Sequence, residues 1–592
     1  MAGSGSAEQL FSTFRKRVVD NPDDPAVTFV SDLVDSPDYS ALSYSELDSR
    51  ARRVASWLAE RFAPGERALL LYPPGVEFAV GFFACVYAGL VAVPAPVPGR
   101  YRHERRRLAG IAADARVCVL LTSEDAVAAV SAWAAEEGVS AVCHPSDSAA
   151  GDPAAWREPA VTPESVALLQ YTSGSTGRPR GVRVRHRNLL SNVDAICAAF
   201  GFGRAQRYGS WIPLHHDMGL IGMLLPGVLR GRGYVQMDPV AFLRRPHHWP
   251  LLLDRFDVNA TAAPDFGYDL CARRVTDEQV AGLDLSRLHG AVSGAEPVRA
   301  DTVARFLARF APAGLRPEVL VPMYGLAEAT LMVTGTARRA PVRTALDRAA
   351  LEQRELRPAA SGAARDLVGC GAPRAGELLI VDPDNAEPLP QGRIGEIWLR
   401  GPGVAGGYWD DPEATARTFG ARLADGRGPF LRTGDLGGLL DGDLYVTGRR
   451  KDTLVLHGRN LHPQDIEGEL RERHTELDGL HGAVFTVGGH DGATGPDTGE
   501  VVVLVHEIRG HWGPDHLAAV AAAMKQTVAR EFGVPVGAVA LVRPGAVRRT
   551  TSGKVERSAT RHLYLSGQLD VLLLSEDPLV AAALGPLREV SV

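Results

Sequence analysis

From Ala26 onward, short apolar runs alternate with amphipathic segments. Residues 67–72 (RALLLY) and 116–122 (RVCVLLT) are brief, continuous apolar runs and read as buried strands. Residues 45–62 place apolar side chains at helical spacing. Strands that alternate with helices predict parallel sheets with helices on their faces, an α/β architecture. Residues 377–382 and 396–400 also read as strands, but in a Gly/Pro-rich region of tight turns that suits a small barrel. Residues 78–93 (FAVGFFACVYAGLVAV) carry no charge. They fall short of the about 20 residues a membrane span needs and run into Pro94 and Pro96. They read as a buried core helix, and no transmembrane segment is expected. Residues 149–163 and 335–369 read as polar, exposed insertions, with a candidate helix at 344–356. Residues 571–592 are moderately apolar and carry no motif.

A chain of 592 residues has room for several structural units. A net charge of −6 and a pI near 6.3 argue against an extended nucleic-acid-binding face. The six cysteines form no CxxC pair and no zinc-spaced cluster, so they read as reduced thiols of a cytoplasmic protein. Residues 1–7 show no basic start followed by an apolar run, so no secretory signal is read there.

Candidate chemistry is densest at 168–184, LLQYTSGSTGRPRGVRV. An apolar strand leads into Thr172, Ser173, Gly174, Ser175, Thr176 and Gly177. Hydroxyl donors beside glycines, whose backbone N–H groups approach closely, suit an anion. Arg178, Arg180 and Arg183 add positive charge. The string GxxxxGK[ST] of a P-loop is absent. The string YTSGSTGRPRG resembles the phosphate-binding loop of the acyl-adenylate-forming (ANL) superfamily. Arg180 stands where that family usually has lysine, and an arginine fork is not a lysine point charge.

Further motifs follow in that family's order. Ser293, Gly294, Ala295, Glu296 and Pro297 resemble the segment against the adenine. Tyr324, Gly325 and Glu328 resemble the YGxxE motif, which implies adenine stacking by Tyr324 and a Mg²⁺ contact by Glu328. Asp435, in RTGD, would accept hydrogen bonds from the ribose hydroxyls, and Arg449 would contact ribose or phosphate. Lys451 takes the family's hinge position and Lys554 that of its catalytic lysine. The resemblance implies a large N-terminal region, 1–450, of two α/β lobes and a small barrel. It carries the insertion at about 335–369, and a mobile C-terminal domain, 451–592, follows.

The resemblance implies attack of a carboxylate on the α-phosphate of ATP, with loss of pyrophosphate, then capture of the acyl-adenylate by a thiol. Residues 211–223, WIPLHHDMGLIGM, resemble a segment of fatty acyl-AMP ligases. His216 would then sit near the reacting carboxylate. Trp211, His215, Asp217, Met218 and Met223 would line the substrate site, whose acyl part needs little beyond apolar surface. Residues 458–467, GRNLHPQDIE, also resemble the ligase form. The expected activity is fatty acyl-AMP ligase, with ATP and Mg²⁺, a medium- or long-chain fatty acid and an acyl carrier protein of a polyketide or nonribosomal peptide assembly line. The alternatives are a long-chain acyl-CoA synthetase, an amino-acid adenylation enzyme, for which Asp217 is the candidate ammonium partner, and an inactive adenylate sensor. A carrier protein is acidic, so Arg471, Arg473, Arg548, Arg549, Arg557 and Arg561 are candidates for a basic docking face.

Overall fold

The computed structural model describes residues 9–33, 38–148, 151–172, 179–201, 203–361, 363–374, 376–456, 459–487, 501–549 and 553–577. Two large sheets dominate. The eight-stranded sheet runs in the order Met332–Gly335, Leu320–Gly325, Gly290–Gly294, Ala260–Pro264, Tyr208–Ser210, Tyr234–Met237, Pro25–Asp32, Asp38–Ser43. Its six inner strands are parallel and each edge strand is antiparallel to its neighbour. The six-stranded sheet runs Val142–Pro145, Val119–Thr122, Arg67–Leu70, Val91–Pro94, Val166–Thr172, Arg180–Arg185, with only the last strand antiparallel. Parallel strands need crossover helices, which explains the alternating apolar and amphipathic pattern.

Helix Glu77–Ala88 is buried at every position from Phe78 to Ala88. A helix that is apolar all round belongs inside a core, and Phe83 stacks on Phe14 at 4.2 Å there. The expected helix at 78–93 ends at the left-handed Gly89, and Val91–Pro94 continues as a strand, because that glycine caps the helix.

Where a small barrel was expected, Glu377–Val381, Gly395–Arg400, Leu431–Leu440 and Asp443–Arg449 form an antiparallel meander. Beside it the 335–369 insertion folds differently from the reading above. Arg343–Asp347 and Ala364–Val368 pair as a hairpin, and helix is confined to Arg348–Glu352. Alternation decides this. Leu346 and Leu367 face inward onto Leu356, Ile394 and Leu436, while Arg343, Asp347, Arg365 and Asp366 on the same strands are not buried. A 3₁₀ turn, Arg450–Asp452, then leads to a last sheet, Gly482–Val487, Val501–Glu507, Val536–Val542, Val571–Glu576, packed on helices Pro463–Arg473 and Pro514–Phe532. Val571–Glu576 is a strand that the sequence reading left unassigned.

Helix His186–Phe200 ties these layers together through two buried asparagines one turn apart. Asn188 Nδ2 donates to the carbonyls of Pro402 (2.7 Å) and Val404 (3.0 Å). Asn192 Nδ2 donates to the Met332 carbonyl, and Asn192 Oδ1 accepts from the Met332 N–H, both at 3.1 Å. The first fixes the segment whose Ala405 N–H donates to the Glu328 carbonyl, and the second fixes the strand that follows Glu328. Asn192→Leu leaves a buried N–H and C=O of Met332 unpaired and should destabilise the protein by about 2–3 kcal/mol. Thermal melts read this as a lower midpoint, and an unchanged midpoint would show the clamp to be dispensable.

Candidate active site

The inner strands of the eight-stranded sheet are parallel, so their carboxyl ends lie along one edge, where α/β sheets place ligands. Tyr208–Ser210 leads to Trp211 and the HHDMG turn. Ala260–Pro264 leads to Asp265 and Phe266, Gly290–Gly294 to Ala295 and Glu296, and Leu320–Gly325 to Glu328. These residues line one cleft of about 2170 Å³, together with Thr172, Asp435, Arg449, Lys451 and Lys554. The sequence-predicted residues 173–177 lie outside the described residues, so the cleft is defined up to Thr172, which pairs with Arg180 across the strands.

Asp435 is 8% exposed. One carboxylate oxygen accepts from the Tyr324 hydroxyl at 2.8 Å and the other from Arg449 Nε at 3.1 Å. Burial, and then this carboxylate, push the Tyr324 hydroxyl well above its ordinary pKa, so it stays a donor. At Gly325 an added Cβ would lie 1.9 Å from the Leu331 carbonyl, so only glycine lets the chain double back here.

Glu328 follows on a single 3₁₀ turn. Its Oε1 accepts from the Tyr408 hydroxyl at 2.9 Å, and its carbonyl accepts from the Ala405 N–H. Two residues on, Thr330 has φ +68° and is fully buried. A β-branched residue there is strained, and its hydroxyl is held by the Gly403 carbonyl at 2.7 Å. The backbone around Glu328 is thus fixed by contacts from several layers. Tyr408 was not legible as a site residue. Its only sequence cue is the preceding Gly406-Gly407 pair, and Gly407 has φ +106°.

The HHD trio forms a polar pocket. His216 Nδ1 lies 2.8 Å from Asp217 Oδ1, which also accepts from the Met218 N–H at 2.8 Å. Burial acts to raise the Asp217 carboxyl, but His216, Lys554 and the Met218 N–H outweigh it and hold the group below its ordinary pKa. His215 is held down to about 4 by burial and by His216, and stays neutral. Its carbonyl accepts from Gln170 Nε2 at 3.1 Å, tying this turn to the strand that precedes Thr172. Trp211, Met218 and Met223 are all under 6% exposed. Trp211 stacks on Phe242 at 4.1 Å and meets Phe266 edge-on, so this wall of the cleft is apolar.

Glu296 is engaged within the protein itself. Its Oε1 accepts from the Phe266 N–H at 2.6 Å, and burial together with nearby Asp265 pushes the carboxyl up to about 7. Asp265 is itself held by Arg299 and Thr302. The preceding Ala295 is in the left-handed region at φ +65°.

Lys554 enters this cleft from the opposite wall. Burial, and then the Arg449 charge, lower its pKa, while Asp217, Glu296 and Asp435 oppose that shift. Its neighbours Thr551 and Ser552 lie outside the described residues. The chain has four lysines among 64 lysines and arginines, and Lys554 and Lys451 are two of them. A lysine ammonium is a compact point charge, where arginine presents a planar fork. Lys451 sits in the 3₁₀ turn between the last meander strand and the terminal sheet.

The 335–369 insertion meets the same terminal unit. Arg365 pairs with Asp465, and Arg348 lies 3.7 Å from Glu469 and over the Phe532 ring. Burial pushes Asp465 up to about 6, and Arg365 and Arg348 partly offset this. The expected basic face is thinner than the sequence reading had it. Arg557 pairs with Glu467 inside the terminal unit, Arg473 pairs with Glu469, and Arg561 donates to the Thr486 carbonyl. Arg549 is exposed beside His481, and Arg471 faces the cleft.

Comparison with known proteins matches this geometry. A family model described as AMP-binding enzyme covers residues 14–409. The chain is 39% identical over 555 residues to the medium-chain-fatty-acid–[acyl-carrier-protein] ligase JamA of Moorena producens, covering 90% of this chain and 91% of that protein. It is 36% identical over 582 residues to the long-chain-fatty-acid–AMP ligase FadD26 of Mycobacterium tuberculosis, covering 94% and 97%. A Legionella pneumophila fatty acyl-adenylate ligase, solved with acyl adenylate and pyrophosphate, superposes with a TM-score of 0.72 at 31% identity, covering 96% and 98%. The chain therefore belongs to the AMP-binding enzymes of the acyl-adenylate-forming superfamily.

Proposed function

We propose that this protein is a fatty acyl-AMP ligase, which joins a medium- or long-chain fatty acid to AMP and passes the acyl group to the thiol of an acyl carrier protein. The observation that carries this reading is the meeting of Lys554 with Asp435, Glu328 and the His216–Asp217 pair in one cleft with an apolar wall. Adenylation builds charge on the α-phosphate, and a cation already in place stabilises it. Lys554 is that cation and bridges the attacking carboxylate and the phosphate. Asp435 and Arg449 hold the ribose, Tyr324 and the 294–296 segment flank the adenine, and Thr172 begins the loop that grips pyrophosphate. His216, oriented by Asp217, faces the acid.

Mg²⁺ fits the residues present. Among the described residues no cluster of three or more His, Cys, Asp or Glu stands ready to hold a metal. Mg²⁺ bound beside nucleotide phosphates typically takes one or two protein carboxylates and fills its sphere with phosphate oxygens and water. Glu328, fixed by Tyr408, is the carboxylate for that role, and the ion would neutralise phosphate charge. Residues 1–450 form the large domain and 451–592 the small one, with Lys451 the pivot. We assign the enzyme to the cytoplasm. Among the described residues no helix is long and apolar enough to cross a membrane.

The acceptor follows from the insertion. Contacts of Arg365 and Arg348 with the small domain favour the adenylating pose over a rotated one. Each ~1.4 kcal/mol of such bias changes a two-state ratio about tenfold. A carrier protein offsets the bias through its own contacts, whereas free CoA has fewer to offer.

Three outcomes check this reading. Lys554→Ala should lower ATP–pyrophosphate exchange by about 10²–10³-fold, yet leave transfer from supplied acyl-AMP to carrier protein nearly intact. An equal loss in both half-reactions overturns the role given to Lys554. The Arg348→Ala/Arg365→Ala double variant should gain acyl-CoA formation while keeping adenylation, read in one chromatogram with ATP, fatty acid and CoA. Robust acyl-CoA synthesis by the unaltered enzyme would replace the ligase assignment with a synthetase. The third outcome concerns pH. The folded state holds the Glu296 proton up to about 7, against an ordinary value of 4.5. Its stabilising share is therefore complete below about pH 4.5 and is lost as pH rises through 7. Glu296→Gln should flatten that part of the melting-temperature profile in nucleotide-free protein, and parallel profiles would refute the shift.

A further inference from the structure

Helix Pro239–Arg244 lies at the rim of the cleft and is built for an interface rather than for water. Asp238 caps it, its carboxylate accepting from the Val240 N–H at 2.9 Å. Phe242 is fully buried on the inward face. Val240 and Leu243, three positions apart and so neighbours on one helix face, are each 47% exposed. Arg244 and Arg245 follow directly, both exposed, and neither forms an ion pair among the described residues. Arg274 donates to the carbonyls of Leu243 (3.3 Å) and Arg244 (3.4 Å), which places a third cation at the helix end. The nearby acids are committed elsewhere, Asp238 to the cap and Asp269 to Arg273 and Arg305. Leu243 also lines the cleft, with Phe266 and Leu270 behind it. Leu243 is therefore shared between the exposed helix face and the lining of the cleft.

We propose that this rim docks on an anionic lipid surface and that the fatty acid enters the cleft from the bilayer across Val240 and Leu243. The proposal rests on the fatty-acid reading of the cleft. Aliphatic side chains flanked by uncompensated arginines are the pattern that seats a segment among acidic headgroups. A long acyl chain is sparingly soluble, and an apolar path lets it leave the membrane without crossing water. An acidic carrier protein meets the same charge, but its polar thiol arm has no use for an aliphatic path to the cleft. That difference favours lipid.

The test is co-sedimentation of the full chain with vesicles at about 0.15 M salt, where exposed charges still act over about 8 Å. Vesicles of equal parts phosphatidylglycerol and phosphatidylcholine should retain the enzyme, and pure phosphatidylcholine should not. Arg244→Glu/Arg245→Glu should lower partitioning into the anionic vesicles by about 20-fold or more. Pyrophosphate exchange with a short, water-soluble acid should be unchanged in this variant, which shows that it is folded. Exchange with a long-chain acid supplied in vesicles should fall. Failure of the unaltered enzyme to bind anionic vesicles, or equal binding by the variant, overturns the proposal. So does a variant that keeps vesicle binding but loses acyl transfer to the carrier, which would give the surface to the carrier protein. Absence of exchange with any fatty acid would instead strike the fatty-acid reading itself.

Discussion

An ammonium group can sit among buried side chains only if carboxylates meet it there. Three acids near Lys554 answer that requirement, against the opposing charge of Arg449. Asp217, Glu296 and Asp435 each bear on its charge, and each comes from a different strand end or turn. Asp217 and Glu296 follow parallel strands whose carboxyl ends share one edge, and Asp435 reaches the same cleft from the antiparallel meander. None of the three is left bare. Asp217 holds His216, Asp435 holds Tyr324 and Arg449, and Glu296 holds the Phe266 N–H. The site is therefore a balance of charges within one cleft, and withdrawing Lys554 would change the balance for all three acids.

Rigidity around Glu328 has a similar logic. A lone carboxylate positions a cation well only if its own backbone cannot drift. The asparagine clamps, the strained Thr330 and the Tyr408 hydroxyl supply that constraint from separate layers. None of these residues belongs to a recognisable motif. The asparagines and Tyr408 reach the segments around Glu328 only through the tertiary fold.

That division explains how much could be read from the sequence. Apolar runs gave the strands at Arg67–Leu70 and Val119–Thr122 and the buried helix at Glu77–Ala88, because local pattern and burial agree there. The motif residues could be named because their chemistry is carried in short strings. The hairpin at Arg343–Asp347 and Ala364–Val368 was missed, since each strand exposes charged positions and buries only Leu346 or the Leu367–Val368 pair. Tyr408, Asn192 and the second role of Glu296 were missed for a different reason. Each acts on a group far away in sequence, and spacing along the chain carries no trace of such a partner.

The insertion has a mechanical consequence. A body joined to another by a single covalent pivot can turn about any axis through that point. The terminal unit is joined at Arg450–Asp452 and touched again where Arg365 meets Asp465 and Arg348 meets Phe532. The Arg273–Asp478 ion pair adds a further point of contact. A rigid body held at three points that are not in line has no rotation left. Any turn of the terminal unit, and any displacement of Lys554 with it, therefore requires that at least one of these contacts open first.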